Sequence, residues 1–363
     1  MRRVLAWFGR RRVYGPVLTF TVLFYTGLAV WALMPRHTGG TGATATQTET
    51  AAPADEIKGV EDPDLDREQL KEREARFRER LEQDPRLATA IGGTAVLVLS
   101  LSLMVYAWIL WRRLCGRPVL PRLHRPEAPR WRRRDVGEAF VMILFVEAAL
   151  VTVQAILSIV IDLRALGSDF LLMANSLARN VLVAAYVILL VRRRYAQPVS
   201  DLGLAGPGAV RGVGVGLAAY VAALPLLFLT LLAMAALTQA LSYEPEPQKV
   251  VQIYMKESAE RHLPFFTLFV AVLGPMIEEV FFRGFAYPAL KARHGAAAAM
   301  LGSSIIFAIV HLNLAAFVPI VLLGVFLAYL YERTGSLVPS MAAHATHNTI
   351  MVLFTLGFKN LSV

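Results

Sequence analysis

Nine long apolar stretches constrain this chain more than any other feature: residues 16–34, 88–111, 140–161, 170–191, a segment within 213–241, 264–290, 296–314, 317–331 and 337–358. About 20 apolar residues make a helix long enough to cross the hydrocarbon core of a bilayer. The pattern predicts an all-α fold, a polytopic transmembrane helix bundle of about nine spans. Composition agrees. The 363 residues are 56% hydrophobic and 18% charged, against about 45–50% and 25% in soluble domains.

The net charge of +10 would point to nucleic acid in a soluble protein, but here the cations flank apolar runs. Arg112, Arg113, Arg117, Arg122, Arg125, Arg130, Arg132, Arg133 and Arg134 crowd one loop. Arg192, Arg193 and Arg194 follow a later run, as do Lys291 with Arg293, and Arg333. All fall on one side of the bilayer if the N-terminus, with Arg2, Arg3, Arg10, Arg11 and Arg12, is cytoplasmic. This predicts an integral protein of the plasma (inner) membrane with an extracytoplasmic C-terminus, and it removes nucleic acid from the partners. The first run exceeds the apolar core of a secretory signal, about 7–15 residues. It reads as an uncleaved anchor, although Ala43-Thr44-Ala45 mimics a cleavage site. Cys115 is the single cysteine, which excludes a disulfide framework and a cysteine-based metal site.

Three regions follow. Residues 1–136 comprise the anchor, an extracytoplasmic charged stalk, a second span and a basic loop. In the stalk, DREQLKEREARFRERLEQ reads as a solvated helix whose thin stripe of Leu70, Phe77 and Leu81 suits a weak helical contact. Residues 137–262 are leading transmembrane helices. Residues 263–357 hold nearly all the chemistry.

Each ionisable residue at the centre of a span costs about 2.5–3.5 kcal/mol on insertion scales. Glu147 and Arg179 fall mid-run on helices expected to be antiparallel neighbours, and their simplest reading is a structural ion pair. GPMIEEVFFRG, residues 274–284, is harder to explain as structure alone. Glu279 and Arg283 are four apart, acid first, the favourable order for a helical pair. Glu278 projects about 100° away and remains the free carboxylate, suited to act as a general base. Gly274-Pro275 predicts a helix break just before the glutamates, which would put them in the first turn of a restarted helix and admit water.

Downstream, Phe307 and His311 share a helix face, as do His344 and Asn348, with His347 between them. Three helices thus present polar groups toward one cavity between the C-terminal spans. Glu278 with His311 has the chemistry to activate a water against a peptide carbonyl, and His344 and Asn348 to donate to the oxyanion. A zinc reading competes, with Glu278, His311 and His344 as a His₂Glu set. Against it stand the absence of His-Glu-x-x-His and an asparagine four residues after His344. Cofactors are therefore none or a divalent metal such as zinc.

EEVFFR at 278–283, Phe307 with His311, and His344 with Asn348 match in order the E-E-x-x-x-R, F-x-x-x-H and H-x-x-x-N motifs of the CAAX-protease and bacteriocin-processing family. The chain resembles that family over about a quarter of its length. The resemblance implies a glutamate-dependent intramembrane endopeptidase, often catalogued as a metalloprotease, acting on a membrane-associated protein or peptide. By it, Glu278 and His311 activate water, His344 and Asn348 hold the oxyanion, and Glu279 with Arg283 completes the site. His347 is extra to the motif. Two other classes compete: a non-proteolytic scaffold or immunity protein of the same fold, and a proton-coupled transporter. The intact polar set argues against the first, and the confinement of polar residues to one C-terminal block, without matched halves, against the second. On about 1.5 Å per residue, Glu278 lies roughly 20 Å from Lys291 in the basic loop, so the cavity is expected to open toward the cytoplasm.

Overall fold

The computed structural model describes residues 14–33, 63–124, 126–204, 208–243, 245, 248–256 and 261–362. The N-terminal arginines, the cleavage-site mimic and the rest of residues 34–62 lie outside the described residues. Each of the nine apolar runs is largely helical, and no strand occurs among the described residues. Six helices among these residues are long and apolar enough to cross a membrane: Pro85–Leu114, Arg133–Leu157, Ser168–Arg194, Ala209–Ala240, Leu263–Ile309 and Phe317–Thr334. The protein is an all-α, polytopic integral membrane protein.

The difference from nine has physical causes. Leu263–Ile309 is 47 residues long and carries two of the expected runs, because the chain turns at Gly295 (φ +79°, ψ +169°). That left-handed region is open to glycine at no steric cost. The Phe282 and Phe307 rings consequently meet with centroids 5.0 Å apart, whereas 25 residues of straight helix would separate them by about 37 Å. The last run forms a 25-residue helix, Leu337–Leu361, but His344, Thr346, His347, Asn348 and Thr349 dilute its apolar character. The first run corresponds to the helix Tyr14–Leu33.

We label the elements used below α1 (Pro63–Gln83), α2 (Arg133–Leu157), α3 (Ser168–Leu189), α4 (Ala209–Ala240), α5 (Leu263–Leu268), α6 (Gly274–Glu279), α7 (Tyr287–Ile309), α8 (Phe317–Thr334) and α9 (Leu337–Leu361). The charged helix α1 behaves as its composition requires. Glu72–Arg76 and Glu74–Arg78 pair along its exposed side, each at 2.6 Å. Its thin apolar stripe turns to α9, where the Phe77 and Phe358 rings lie 5.4 Å apart. The expected pair between α2 and α3 is present, with Arg179 Nη1 3.0 Å from Glu147 Oε2.

Two features fix the floor beneath the site. The basic loop runs against the end of α8, where the Leu123 and His124 amides both donate to Thr334 O, at 2.9 and 3.0 Å. Trp131, 1% exposed, then stacks on Phe285 at 5.8 Å and donates its indole N–H to Phe285 O at 2.9 Å. A buried indole needs such a partner, and the surrounding helix supplies one. The loop's tryptophan thus anchors in the helical stretch that carries the glutamates.

Candidate active site

The stretch GPMIEEVFFRG does not break its helix. Gly274 has helical angles (φ −56°, ψ −58°), and the chain winds continuously from α5 through α6 to α7. It widens instead, with π-helical turns at Phe269–Leu273 and Val280–Ala286 on either side of α6. A proline that lacks an N–H can be absorbed by such a turn, and wide turns of this kind recur at functional sites. The expected placement of Glu278 and Glu279 in the first turn of a restarted helix is therefore corrected. They close a six-residue helical segment flanked by wide turns.

Glu279 is the most constrained side chain here. It is fully buried, and Arg283 is 1% exposed. Arg283 Nη1 donates to Glu279 Oε1 at 2.7 Å, and Arg283 Nη2 donates to Gly324 O at 3.1 Å. The guanidinium also stands 4.5 Å over the Phe307 ring. A buried ion pair offsets its desolvation only when extra polar contacts complete it; the carbonyl and the ring face do so in part, and Glu279 Oε2 and Arg283 Nε have no hydrogen-bond partner among the described residues. Gly324 permits the approach, since a Cβ there would meet Ser304 Cβ at 2.8 Å.

The same Glu279 Oε1 lies 3.0 Å from His344 Nδ1, reaching α9 from α6. His344 is 2% exposed. A carboxylate acceptor requires Nδ1 to carry a proton, which leaves Nε2 to accept when the ring is neutral and to donate when it is charged. That Nε2 faces Glu278 Oε2 at 3.9 Å. Glu278 itself is half-buried, its side chain 29% exposed. One carboxylate thus orients the imidazole while the other stands open to an incoming molecule.

His311 lies elsewhere than expected. The helix α7 ends at Ile309, so His311 sits in the turn beyond, exposed, its Nδ1 2.7 Å from Phe307 O. Its ring is 4.6 Å from that of Phe307, which is itself 5.6 Å from His344. Phe307 therefore stands between the two histidines, and His311 makes no ion pair with Glu278. Asn348 Nδ2 donates to Val270 O at 2.9 Å. His347 turns away to α4, with Nδ1 3.1 Å from the Tyr220 hydroxyl.

The zinc alternative needs three donors converging at about 2.0–2.2 Å on one point. Glu278 and His344 are neighbours, but His311 lies across the Phe307 ring, and no group of three His, Cys, Asp or Glu among the described residues is placed to hold a metal. As arranged, Glu278, His311 and His344 do not fit a zinc site.

Sequence spacing identified the carboxylates, the arginine and His344, and the structure gathers those four. It missed Phe307 as the hub, Gly324 and Trp131. A tryptophan amid the basic loop was a visible signal for the last. For His311, Asn313 was the available clue, since its side chain accepts from the Ala316 amide at 2.8 Å just before α8.

Residues 260–350 match the family described as type II CAAX prenyl endopeptidase Rce1-like. The chain is also similar to "Putative membrane peptidase YdiL" of Bacillus subtilis (strain 168), with 33% identity over 94 residues. That match covers 26% of this chain and 38% of the relative. No solved structure matches.

Proposed function

We propose that the protein is an intramembrane endopeptidase that hydrolyses a peptide bond of a membrane-associated protein or peptide, a reading supported by the likeness of residues 260–350 to the type II CAAX prenyl endopeptidase Rce1-like family. One observation carries the reading. Half-exposed Glu278 lies beside His344, which is held through its other nitrogen by the buried Glu279–Arg283 pair. A purely structural ion pair has no use for a second, open carboxylate at such cost.

In this reading Glu278 takes a proton from a water as the water oxygen attacks the scissile carbonyl carbon. The carbonyl electron pair moves to oxygen, and the oxyanion is met by donors held in place beforehand. His344 in its charged form supplies one through Nε2, and the second N–H of the Asn348 amide supplies another. The proton then passes from Glu278 to the departing amine as the C–N bond breaks. Glu279 and Arg283 do not touch the substrate; they fix the imidazole. His311, exposed beside Phe307, takes no part in activating the water, a change from its expected place beside Glu278. We propose that catalysis needs no metal, that the N-terminus is cytoplasmic, and that the cavity opens to the cytoplasm.

The test is cleavage of a quenched-fluorescent library of membrane peptides by the purified wild type and by Glu278→Ala. Cleavage that vanishes in the variant supports the reading. Undiminished cleavage by Glu278→Ala rejects the mechanism, and a folded wild type that cleaves nothing favours the non-proteolytic scaffold.

A further inference from the structure

We propose that Asn348 is a positioning residue: its side-chain amide supplies the hydrogen bond that Pro275 cannot make, and so holds the wide turn that aims both glutamates. The turn Phe269–Leu273 is wound five residues back, as the bond from the Gly274 amide to Phe269 O shows. One residue further in the same register, the amide of position 275 would belong to Val270 O. Proline has no N–H to give. Val270 O is thereby deprived of its helical donor, and this is the oxygen that Asn348 Nδ2 reaches from α9, at 2.9 Å.

The placement has consequences for the glutamates. His344 and Asn348 lie one turn apart on α9 and hold the same helical stretch at two points, Glu279 Oε1 at 3.0 Å and Val270 O at 2.9 Å. A wide turn contains one residue more than an α turn. Closing it would rotate α6 by about 100° relative to α5 and carry Glu278 and Glu279 away from His344. The H-x-x-x-N spacing thus joins two tasks on one helix face. The histidine meets the carboxylates, and the asparagine keeps the turn open that presents them. At least one of the two amide hydrogens is committed to the backbone, so no more than one is left for an oxyanion.

The inference stands apart from the protease reading, because its readouts are stability and amide exchange. The experiment uses the full-length protein in lipid nanodiscs and compares Asn348→Ala, Pro275→Ala and the double variant. Stranding a carbonyl should raise the unfolding equilibrium constant of Asn348→Ala by about tenfold. Amide exchange across residues 269–278 should quicken comparably, with α8 unchanged. Pro275→Ala returns an N–H to the turn, so the double variant should recover most of both losses. Strictly additive effects in the double variant, or unchanged exchange across 269–278 in Asn348→Ala, would overturn the proposal. Should Pro275→Ala fail to fold, Asn348→Leu decides. It keeps about the size of the side chain but has no donor in any protonation state, so it must lose protection as the alanine does, and wild-type exchange in it contradicts the proposal.

Discussion

Removing Arg283 and then Glu279 together should separate stability from activity. Arg283→Met deletes the cation that neutralises a fully buried carboxylate at 2.7 Å. Breaking a buried pair on one side costs about 3–5 kcal/mol, because the remaining charge stays in a low-dielectric interior. Glu279 keeps its contact with His344, so the lower half of that range, about 3–4 kcal/mol, is expected. At roughly 2–4 °C per kcal/mol for a domain of this size, the unfolding midpoint falls by about 6–16 °C. Adding Glu279→Gln removes the stranded charge, and the double variant should regain about half of the loss, since replacing both members of a buried pair is often near neutral. Cleavage should not return. A glutamine side chain cannot hold the His344 imidazole as a carboxylate does, and Arg283 no longer holds the glutamine. The assays are thermal unfolding in detergent and cleavage of a peptide found active with the wild type. Additive destabilisation in the double variant would refute the reasoning about charge, and cleavage at the wild-type rate would refute the orienting role of Glu279.

Four further outcomes are expected. Trp131→Phe keeps the stack on Phe285 but loses the 2.9 Å bond to Phe285 O, costing about 1 kcal/mol in thermal or denaturant unfolding; Trp131→Ala should cost about 3–5 kcal/mol. Gly324→Ala drives a Cβ into Ser304 at 2.8 Å, forcing α7 and α8 apart and costing about 1–3 kcal/mol, with loss of cleavage through Arg283. Glu147→Gln should cost about 2.5–3.5 kcal/mol, because it leaves Arg179, 3.0 Å from the carboxylate in the wild type, without its counter-charge inside a span. Phe307→Ala, which removes the ring beneath Arg283 and between the two histidines, should cost about 3–5 kcal/mol and reduce cleavage even at temperatures where it is folded.

What could be read from the sequence follows from how local each signal is. Span positions depend on runs of apolar residues, and the pair Glu279–Arg283 depends on spacing along one helix, so both emerged directly. Glu147 with Arg179 required only that two neighbouring spans be antiparallel. The π turns were hidden because Gly-Pro signals irregular backbone without saying whether a helix breaks or widens; the outcome depended on Asn348, 78 residues beyond the Val270 carbonyl it meets. His311 was misplaced for a related reason. Its i,i+4 relation to Phe307 survives as a ring contact, but the helix ends at Ile309, and the loss of two residues of helix moved it out to an exposed turn. The partnership of His344 with both glutamates crosses between helices, and no spacing within either one encodes it.

The most direct test of the central claim is cleavage of a membrane peptide in water enriched in oxygen-18, by the wild type and by Glu278→Gln, each with and without a strong chelator. The account predicts that the wild type releases an N-terminal fragment whose new carboxyl group carries one heavy oxygen, that chelator leaves the rate unchanged, and that Glu278→Gln releases none. Heavy-oxygen product formed equally fast by Glu278→Gln would contradict Glu278 as the base, and a rate abolished by chelator and restored by zinc would contradict a metal-free site.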